Sequence, residues 1–263
     1  MKEIIFPGLG LNFKINNIAI NIGNISIYWY AILIVIAFII AIIFLKKDDG
    51  KYNIKFDEDL LELICIIIPI SIISARVYYV LFKLKEYVKN PISIFYISDG
   101  GLAIYGGIIG AIITTVIYCK IKKINIFDVL DYMIPYLPLG QAIGRWGNFF
   151  NVEAHGRNTN SILRMGIIEN NQYMEVHPTF FYESVCNLVI FCILFKLKNK
   201  RKYKGQLLYL YLAMYGFVRT IIEGLRTDSL MLCGFRISQI LSIMICLIAS
   251  SILIFNKRKM HNE

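Results

Sequence analysis

The segment AIGRWGNFFNVEAHGR, residues 142–157, concentrates polar side chains at the end of an apolar stretch. Arg145 and Asn148 are three residues apart, so a helix that continues through them places both side chains on one face. Arginine offers a planar fork of N–H donors that matches the oxygens of a phosphate group. The segment therefore predicts an anion site where an apolar helix ends.

A second set of polar residues lies in and just after the apolar segment 206–225. Tyr215, Arg219, Glu223 and Arg226 follow one another at spacings of three or four residues, which places all four on one helix face. Arg219 and Glu223 could simply neutralise each other, but the two arginines outnumber the single glutamate of this face. Ionisable groups are costly to bury in a membrane, so these residues are candidates for a ligand site.

The composition is typical of a membrane protein. Of the 263 residues, 57% are hydrophobic and 17% are charged, against about 25% charged residues in ordinary soluble domains. Seven apolar segments approach the length that spans a bilayer: residues 24–45, 59–82, 100–119, 127–146, 178–197, 206–225 and 236–255. We predict an all-α polytopic membrane protein of about seven transmembrane helices. It forms a single integral membrane domain, residues 1–263, with a small extracytoplasmic head at about 147–177, between spans four and five.

The distribution of lysine and arginine predicts the orientation of the chain. Most of them fall in KKDDGKYNIK, KIKK, KLKNKRKYKG and NKRKMHNE, which lie on one side if the spans alternate. By the positive-inside rule this side is cytoplasmic, so the N-terminus is outside, the C-terminus is inside and segment 142–157 faces the outer leaflet. The net charge of +10 is accounted for by this topology or, alternatively, by a direct role of the basic residues in attracting anionic lipid, and no nucleic-acid partner is implied.

Other local features predict how the spans are built. Segment 1–23 alternates loosely and is expected to be extended chain on the outer surface. Pro135 and Pro138 predict irregular backbone in the fourth span. Gly106 and Gly110 have the small-xxx-small spacing that lets two helices approach closely. Two further ionisable residues lie within predicted spans: Arg76 and Glu183.

The stretch GRWGNFFNVEAHGR closely resembles the signature G-R-x-G-N-F-x-N-x-E-x-x-G of the prolipoprotein diacylglyceryl transferases. The matching residues are Gly144, Arg145, Gly147, Asn148, Phe149, Asn151, Glu153 and Gly156. The resemblance covers nearly the whole chain and includes SIYWYAIL, ARVYYVLF, GGLAIYGGIIG, HPTFFYES, YGFVRTIIEGLR and ISQILSI.

This resemblance implies an integral enzyme of the bacterial plasma membrane. Such an enzyme moves a diacylglyceryl group from phosphatidylglycerol to the thiol of the lipobox cysteine of a preprolipoprotein, the first step of bacterial lipoprotein maturation. A thioether forms and glycerol 1-phosphate leaves. The implied partners are phosphatidylglycerol, the signal peptide of the preprolipoprotein and the lipid bilayer. The chemistry requires no metal or diffusible cofactor, and the sequence has no cluster of metal ligands.

The resemblance also assigns roles to individual residues. Arg145 is expected to hold the phosphatidylglycerol headgroup. The other positions that resemble essential residues of the family, and that we expect to be catalytic, are Asn148, Glu153, Tyr30, Tyr215 and Arg219. The residues expected to bind the lipid are Arg145, Asn148, Gly156, Arg219, Arg226 and His177.

The base that accepts the thiol proton remains open among three residues. Many family members have a histidine where this sequence has Tyr105, and a tyrosine hydroxyl, with a usual pKa of about 10, is a poor acceptor unless nearby arginines lower that value. Glu153 ranks first because of its signature position, but it could equally orient Arg145. His177 is the third candidate, and it could equally be a residue at the start of a helix that bonds to backbone.

Two other classes of protein share some of these features. A polytopic transporter of an anionic lipid or solute also has broken helices and buried charges, but this chain has no detectable internal duplication and its polar residues crowd toward the outer half. An intramembrane protease needs a serine with a histidine base or paired aspartates. Asp128 and Asp131 lie near the inner end of the fourth span, and no GxSxG occurs.

Overall fold

The structure of the protein is a computed structural model. It describes residues 2–23, 25–88, 90–96, 100–169, 172–227, 229, 231–232 and 234–262. The α-helices in this part of the chain are α1 (Trp29–Lys47), α2 (Leu61–Phe82), α3 (Leu84–Tyr87), α4 (Ile104–Lys122), α5 (Ile126–Met133), α6 (Leu137–Asn151), α7 (Thr179–Leu197), α8 (Gln206–Leu225) and α9 (Ile237–Asn262). The strands are β1 (Lys2–Phe6), β2 (Leu11–Ile15), β3 (Ile18–Ile22), β4 (Ile25–Tyr28), β5 (Met165–Glu169), β6 (Gln172–Val176), β7 (Met231–Leu232) and β8 (Phe235–Arg236).

Five helical segments in the described part of the chain are long and apolar enough to cross a membrane. They are Trp29–Lys47, Lys51–Phe82, Ile104–Lys122, Thr179–Lys200 and Ile237–Met260. Many of their large apolar side chains are exposed on the protein surface, as expected for residues that face lipid. The protein is thus a mostly helical membrane protein. The other two predicted spans, 127–146 and 206–225, are also mainly helical but fall outside this set of five.

The predicted fourth span is interrupted where its prolines lie. α5 ends at Met133, a single 3-10 turn covers Ile134–Tyr136, and α6 begins at Leu137. Pro135 and Pro138 have no N–H to donate to the preceding turn, which breaks the regular hydrogen-bond ladder. After the break, α6 is regular to Asn151, so Arg145 and Asn148 lie on one continuous helix.

By its internal contacts the chain divides into two compact units. The first unit comprises Met1–Lys47 and Met133–Glu263 and contains α1, α6 to α9 and all the strands given above. The second unit is Asp48–Tyr132 and contains α2, α3, α4 and most of α5.

A four-stranded sheet in the first unit has the order β2-β1-β5-β6, with antiparallel neighbours. The N-terminal segment is therefore extended, as predicted, and pairs with strands from the loop between α6 and α7. A cluster of buried side chains lies against this sheet: Ile4, Ile15, Phe149, Met165, Ile167, Val176 and Phe180. Phe149 lies near the end of α6, within segment 142–157, and Phe180 lies at the start of α7. The cluster therefore fixes these two helix ends against the sheet.

In the second unit, α2 and α4 pack closely through the predicted pair of glycines. A Cβ atom at Gly106 would overlap Tyr78 and the backbone of α2, and one at Gly110 would overlap Ser74. These glycines therefore act as close-packing points between the two helices.

Arg76 of α2 is bound to backbone oxygens in the same unit. Its guanidinium donates to the carbonyl groups of five residues at 2.7–3.3 Å: Ser93, Ile94, Tyr96, Gly100 and Gly101. Gly100 and Gly101 have φ values of 85° and 72°, which L side chains rarely adopt. Arg76 thus ties residues 93–96 and 100–101, which precede α4, to α2.

Candidate active site

Glu183 of α7 is the centre of a charged network in the first unit. Nη2 of Arg145 donates to its Oε1 at 2.5 Å, and Nη1 of Arg219 donates to its Oε2 at 3.0 Å. The hydroxyl of Tyr215 donates to Oε1 at 3.4 Å. The Glu183 side chain is only 1% exposed, so residues from α6, α7 and α8 meet at one buried carboxylate.

Arg219 also forms an ion pair with Glu223 one turn further along α8, at 2.6 Å. The ion pair between Arg219 and Glu223, which the sequence left open as an alternative, is therefore present. The sequence suggested an excess of positive charge, because Arg219 and Arg226 outnumber Glu223. Glu183 of α7 supplies a second negative charge beside Arg219. Arg145, Arg219, Glu183 and Glu223 together carry no net formal charge, which lowers the cost of burying them.

Packing between α6 and α7 sets the position of this network. Oγ of Ser184 donates to the carbonyl oxygen of Ala142 at 2.9 Å. On the other side of α6, Gly147 leaves room for the ring of Tyr30, which a Cβ atom there would overlap. Tyr30 therefore lies against the signature segment at Gly147, while its catalytic role stays a prediction.

Asn148 links Arg145 to Glu153. Nη1 of Arg145 donates to Oδ1 of Asn148 at 3.3 Å, and Nδ2 of Asn148 donates to Oε1 of Glu153 at 2.9 Å. Nδ2 of Asn151 donates to the same Glu153 oxygen at 3.0 Å. Glu153 is exposed, so a carboxylate that water can reach is connected to Arg145 through one amide.

A tight backbone crossing surrounds Gly156. Its N–H donates to the carbonyl oxygen of His177 at 2.9 Å, and the N–H of Arg157 donates to that of Leu225 at 2.8 Å. Gly156 also forms an antiparallel bridge with Arg226. A Cβ atom at Gly156 would lie 2.8 Å from the Cβ of His177 and 3.0 Å from the Leu225 oxygen. The signature loop therefore joins the start of α7 to the end of α8.

The ring of His177 lies near Tyr182, with 3.3 Å between Nδ1 and the tyrosine hydroxyl. Burial lowers the pKa of His177 below its usual value, and the nearby charge of Arg157 lowers it further. The imidazole is therefore neutral at pH 7. The backbone N–H of His177, rather than its ring, makes the bond to the Arg157 carbonyl.

The structure brings most of the predicted site residues into two adjoining groups of the first unit. The charged network contains Arg145, Asn148, Glu153, Tyr215 and Arg219. The backbone crossing contains Gly156, His177 and Arg226. Tyr105 belongs to the second unit, where it is half-buried in the first turn of α4.

Glu183 is the central residue that sequence reasoning noticed but did not assign to the site. The sequence feature that could have identified Glu183 is its position as an acidic side chain within an apolar segment, because such a side chain requires a partner when buried. The two guanidinium groups that it holds keep side-chain exposures of 24% for Arg145 and 17% for Arg219. The arrangement thus offers two fixed, partly accessible cationic groups to an anion. Among the residues that the structure describes, no group of three or more His, Cys, Asp or Glu is placed to hold a metal ion.

Comparison with known proteins gives the family. The family model described as prolipoprotein diacylglyceryl transferase matches residues 17–255. A relative from Clostridium novyi, named phosphatidylglycerol–prolipoprotein diacylglyceryl transferase, is 42% identical over 245 residues, which cover 91% of this chain and 95% of the relative. A relative of the same name from Listeria monocytogenes is 42% identical over 253 residues, with 93% and 91% covered. Another from Clostridioides difficile is 43% identical over 228 residues, with 87% and 90% covered. The chain belongs to the prolipoprotein diacylglyceryl transferase family.

Proposed function

We propose that this protein transfers the sn-1,2-diacylglyceryl group of phosphatidylglycerol to the thiol of the lipobox cysteine of a preprolipoprotein. Family membership supports this reaction, because the relatives are named for the same donor and acceptor. The structural observation that carries the proposal is the pair of guanidinium groups, Arg145 and Arg219, held by the single carboxylate of Glu183.

The reaction is a displacement at the glyceryl carbon that bears the phosphodiester. The C–O bond to phosphate breaks, and its electron pair leaves with glycerol 1-phosphate. The cysteine sulfur forms the new C–S bond, and the thiol proton passes to a base. The site therefore has to stabilise negative charge on the departing phosphate and favour the thiolate over the thiol.

Arg145 and Arg219 supply the cationic donors for the phosphate. Both are already oriented by Glu183, so little reorganisation is needed when charge develops on the leaving group. Tyr215 bonds to Glu183 and Asn148 accepts a hydrogen bond from Arg145, and we assign both residues a supporting role as hydrogen-bond donors to the phosphate. In this role Glu183 is a positioning residue, since it holds the arginines and does not itself meet the phosphate.

We assign the proton acceptor to Glu153. A free cysteine has a pKa of about 8.5, so the thiol needs a base or a positive environment to react at neutral pH. Glu153 is exposed and linked to Arg145 through Asn148, which places a carboxylate beside the cationic site. His177, which is neutral at pH 7, and Tyr105 are the remaining candidates.

We further propose seven spans in the bacterial plasma membrane, with the N-terminus outside, the C-terminus in the cytoplasm and the active site toward the outer leaflet. The four-stranded sheet supports this arrangement, because it pairs the N-terminal segment with strands from the proposed head at 147–177. The whole chain would then act as one integral membrane domain, and phosphatidylglycerol would enter the site sideways from the bilayer.

Transfer from phosphatidylglycerol to a lipobox peptide by the purified protein tests this function. Mass spectrometry should show one added diacylglyceryl group with the wild type and none with Arg145→Ala. A matched control is Arg164→Ala, which removes an arginine paired with Glu175 at 2.6 Å outside the network and should leave transfer intact. A cleaved peptide would indicate a protease, and an unchanged peptide with the wild type would contradict the proposed transfer.

A further inference from the structure

A second layer of polar side chains lies one helical turn away from the arginine network. α6, α7 and α8 each contribute one residue, four positions from that helix's member of the network, and therefore on the same face. The pairs are Gln141 with Arg145, Asn187 with Glu183, and Tyr211 with Tyr215. The rings of Tyr211 and Tyr215 are stacked, with centroids 5.5 Å apart.

Two members of this second layer, Gln141 and Tyr211, form hydrogen bonds with each other. Nε2 of Gln141 lies 2.9 Å from the hydroxyl oxygen of Tyr211, and Oε1 lies 3.2 Å from it. Asn187 differs, because it is fully buried and neither its Oδ1 nor its Nδ2 has a hydrogen-bond partner among the described residues. A buried amide without partners is costly, so its presence one turn from the arginine network points to a ligand group that it meets.

The position of Asn187 indicates which group this is. α7 starts directly after the four-stranded sheet, so Asn187 lies about 6 Å further from the sheet than Glu183. If the proposed function is correct, the lipid phosphate lies at the arginines and its acyl chains extend away from the sheet. The ester groups next to the glyceryl carbons then reach the level of Asn187. Their carbonyl oxygens accept hydrogen bonds, whereas the chains beyond them do not.

We propose that Nδ2 of Asn187 donates a hydrogen bond to an ester carbonyl oxygen of the diacylglyceryl group. The inference rests on the proposed function and adds a specificity for diacyl lipids to it. A site built to hydrogen-bond a substrate group rejects an analogue that lacks this group, because the protein amide stays unpaired. A dialkyl phosphatidylglycerol, in which ethers replace both esters, is such an analogue.

The test compares diacyl and dialkyl phosphatidylglycerol of equal chain length and stereochemistry as donors to one lipobox peptide. The wild type should prefer the diacyl donor by about tenfold in kcat/KM. Asn187→Leu keeps the side-chain size but has no donor, so its preference should fall to about one, with the dialkyl rate at least equal to that of the wild type. Asn187→Ala serves as a second variant with the same expected ratio.

The ratio of the two donors is measured within each preparation, so the amount of folded protein cancels. Ser184→Ala is the matched control, because Ser184 bonds to the Ala142 carbonyl within the protein and its loss should leave the ratio unchanged. Equal wild-type rates with both donors, or a wild-type ratio in Asn187→Leu and Asn187→Ala, would overturn the ester contact while leaving the transfer reaction standing. A wild type inactive with both donors would overturn the proposed function itself.

Discussion

The guanidinium groups of Arg145 and Arg219 are held by the two oxygens of a single buried carboxylate. They come from α6 and α8, and the carboxylate is that of Glu183 on the intervening helix α7. Two like charges are thus kept near each other before any anion binds, because the shared carboxylate offsets their repulsion. A phosphate that approaches this pair meets donors already in place.

Removal of the shared carboxylate should weaken both the fold and the reaction. Glu183→Gln leaves two arginines facing an uncharged amide, and we expect a loss of about 3 kcal/mol in the free energy of unfolding together with transfer at least about tenfold slower. Thermal unfolding in detergent and peptide lipidation measure the two effects. Glu175→Gln, which alters the more exposed pair with Arg164, should change stability by less than about 1 kcal/mol. Wild-type stability in Glu183→Gln would contradict the central place of this residue.

Arginine geometry, in addition to charge, should matter at positions 145 and 219. Arg145→Lys and Arg219→Lys keep the charge but lose the planar fork that joins Glu183 to a second partner. We expect transfer to fall by about 100-fold or more in each, with kcat more affected than KM, because the lost donors act mainly on the departing phosphate. Arg145→Ala and Arg219→Ala should abolish transfer while the protein still inserts. Normal transfer in both alanine variants would exclude the proposed role in holding phosphate.

Local patterns in the sequence predicted α7 and α8 closely, whereas predicted span 24–45 begins in strand β4, Ile25–Tyr28, and predicted span 127–146 is divided between α5 and α6. Segments 178–197 and 206–225 correspond to α7, Thr179–Leu197, and α8, Gln206–Leu225, because long apolar runs are flanked by Pro178 and Gly205. The prolines of the fourth span likewise predicted its irregular backbone. These features depend on residues that are near each other along the chain.

Contacts between distant segments could not be predicted in the same way. The spacing within α8 placed Arg219 beside Glu223, but nothing within α7 shows that Glu183 meets arginines from two other helices. The N-terminal segment was expected to be extended, yet the pairing of β1 with β5 joins parts of the chain that no local pattern connects. In the sequence, Asn187 is a polar residue within an apolar segment. Only the structure shows that its side chain is buried and has no hydrogen-bond partner among the described residues.

The backbone crossing at Gly156 should tolerate no side chain. In Gly156→Ala the new methyl group would press on His177 and on the Leu225 carbonyl, and we expect a loss of about 1–3 kcal/mol in the free energy of unfolding. Gly140→Ala is the matched control, since a methyl group there would only reach ordinary contact, 4.0 Å from the Cβ of Ala37. Thermal unfolding of both variants measures the difference. Equal stability of the two variants would show that the loop yields at Gly156.

Stability should decrease in mildly acidic solution because of His177. Its folded pKa is lowered by burial and by Arg157, so between that value and the usual value of about 6.5 the unfolded chain binds more protons. The free energy of unfolding therefore falls as the pH drops from about 6.5 toward the folded pKa, and is fully retained above 6.5. His177→Gln should flatten this part of the curve in unfolding measurements made at a series of pH values. An unchanged slope in the variant would assign the acid sensitivity to other groups.

Arg76 should stabilise residues 93–96 and 100–101, which precede α4. Lysine has three donors instead of five, so Arg76→Lys leaves at least two of the five carbonyl oxygens without that partner. We expect a loss of about 2 kcal/mol, at about 1 kcal/mol for each missing bond. Amide hydrogen exchange should become faster in residues 92–96 and at Gly101, while the sheet of the first unit, which lacks Arg76, keeps its protection. Because Tyr105 lies in the first turn of α4, a parallel fall in transfer would support a catalytic role for this tyrosine. Faster exchange with normal transfer would leave Arg76 a purely structural function and count against Tyr105 as the base.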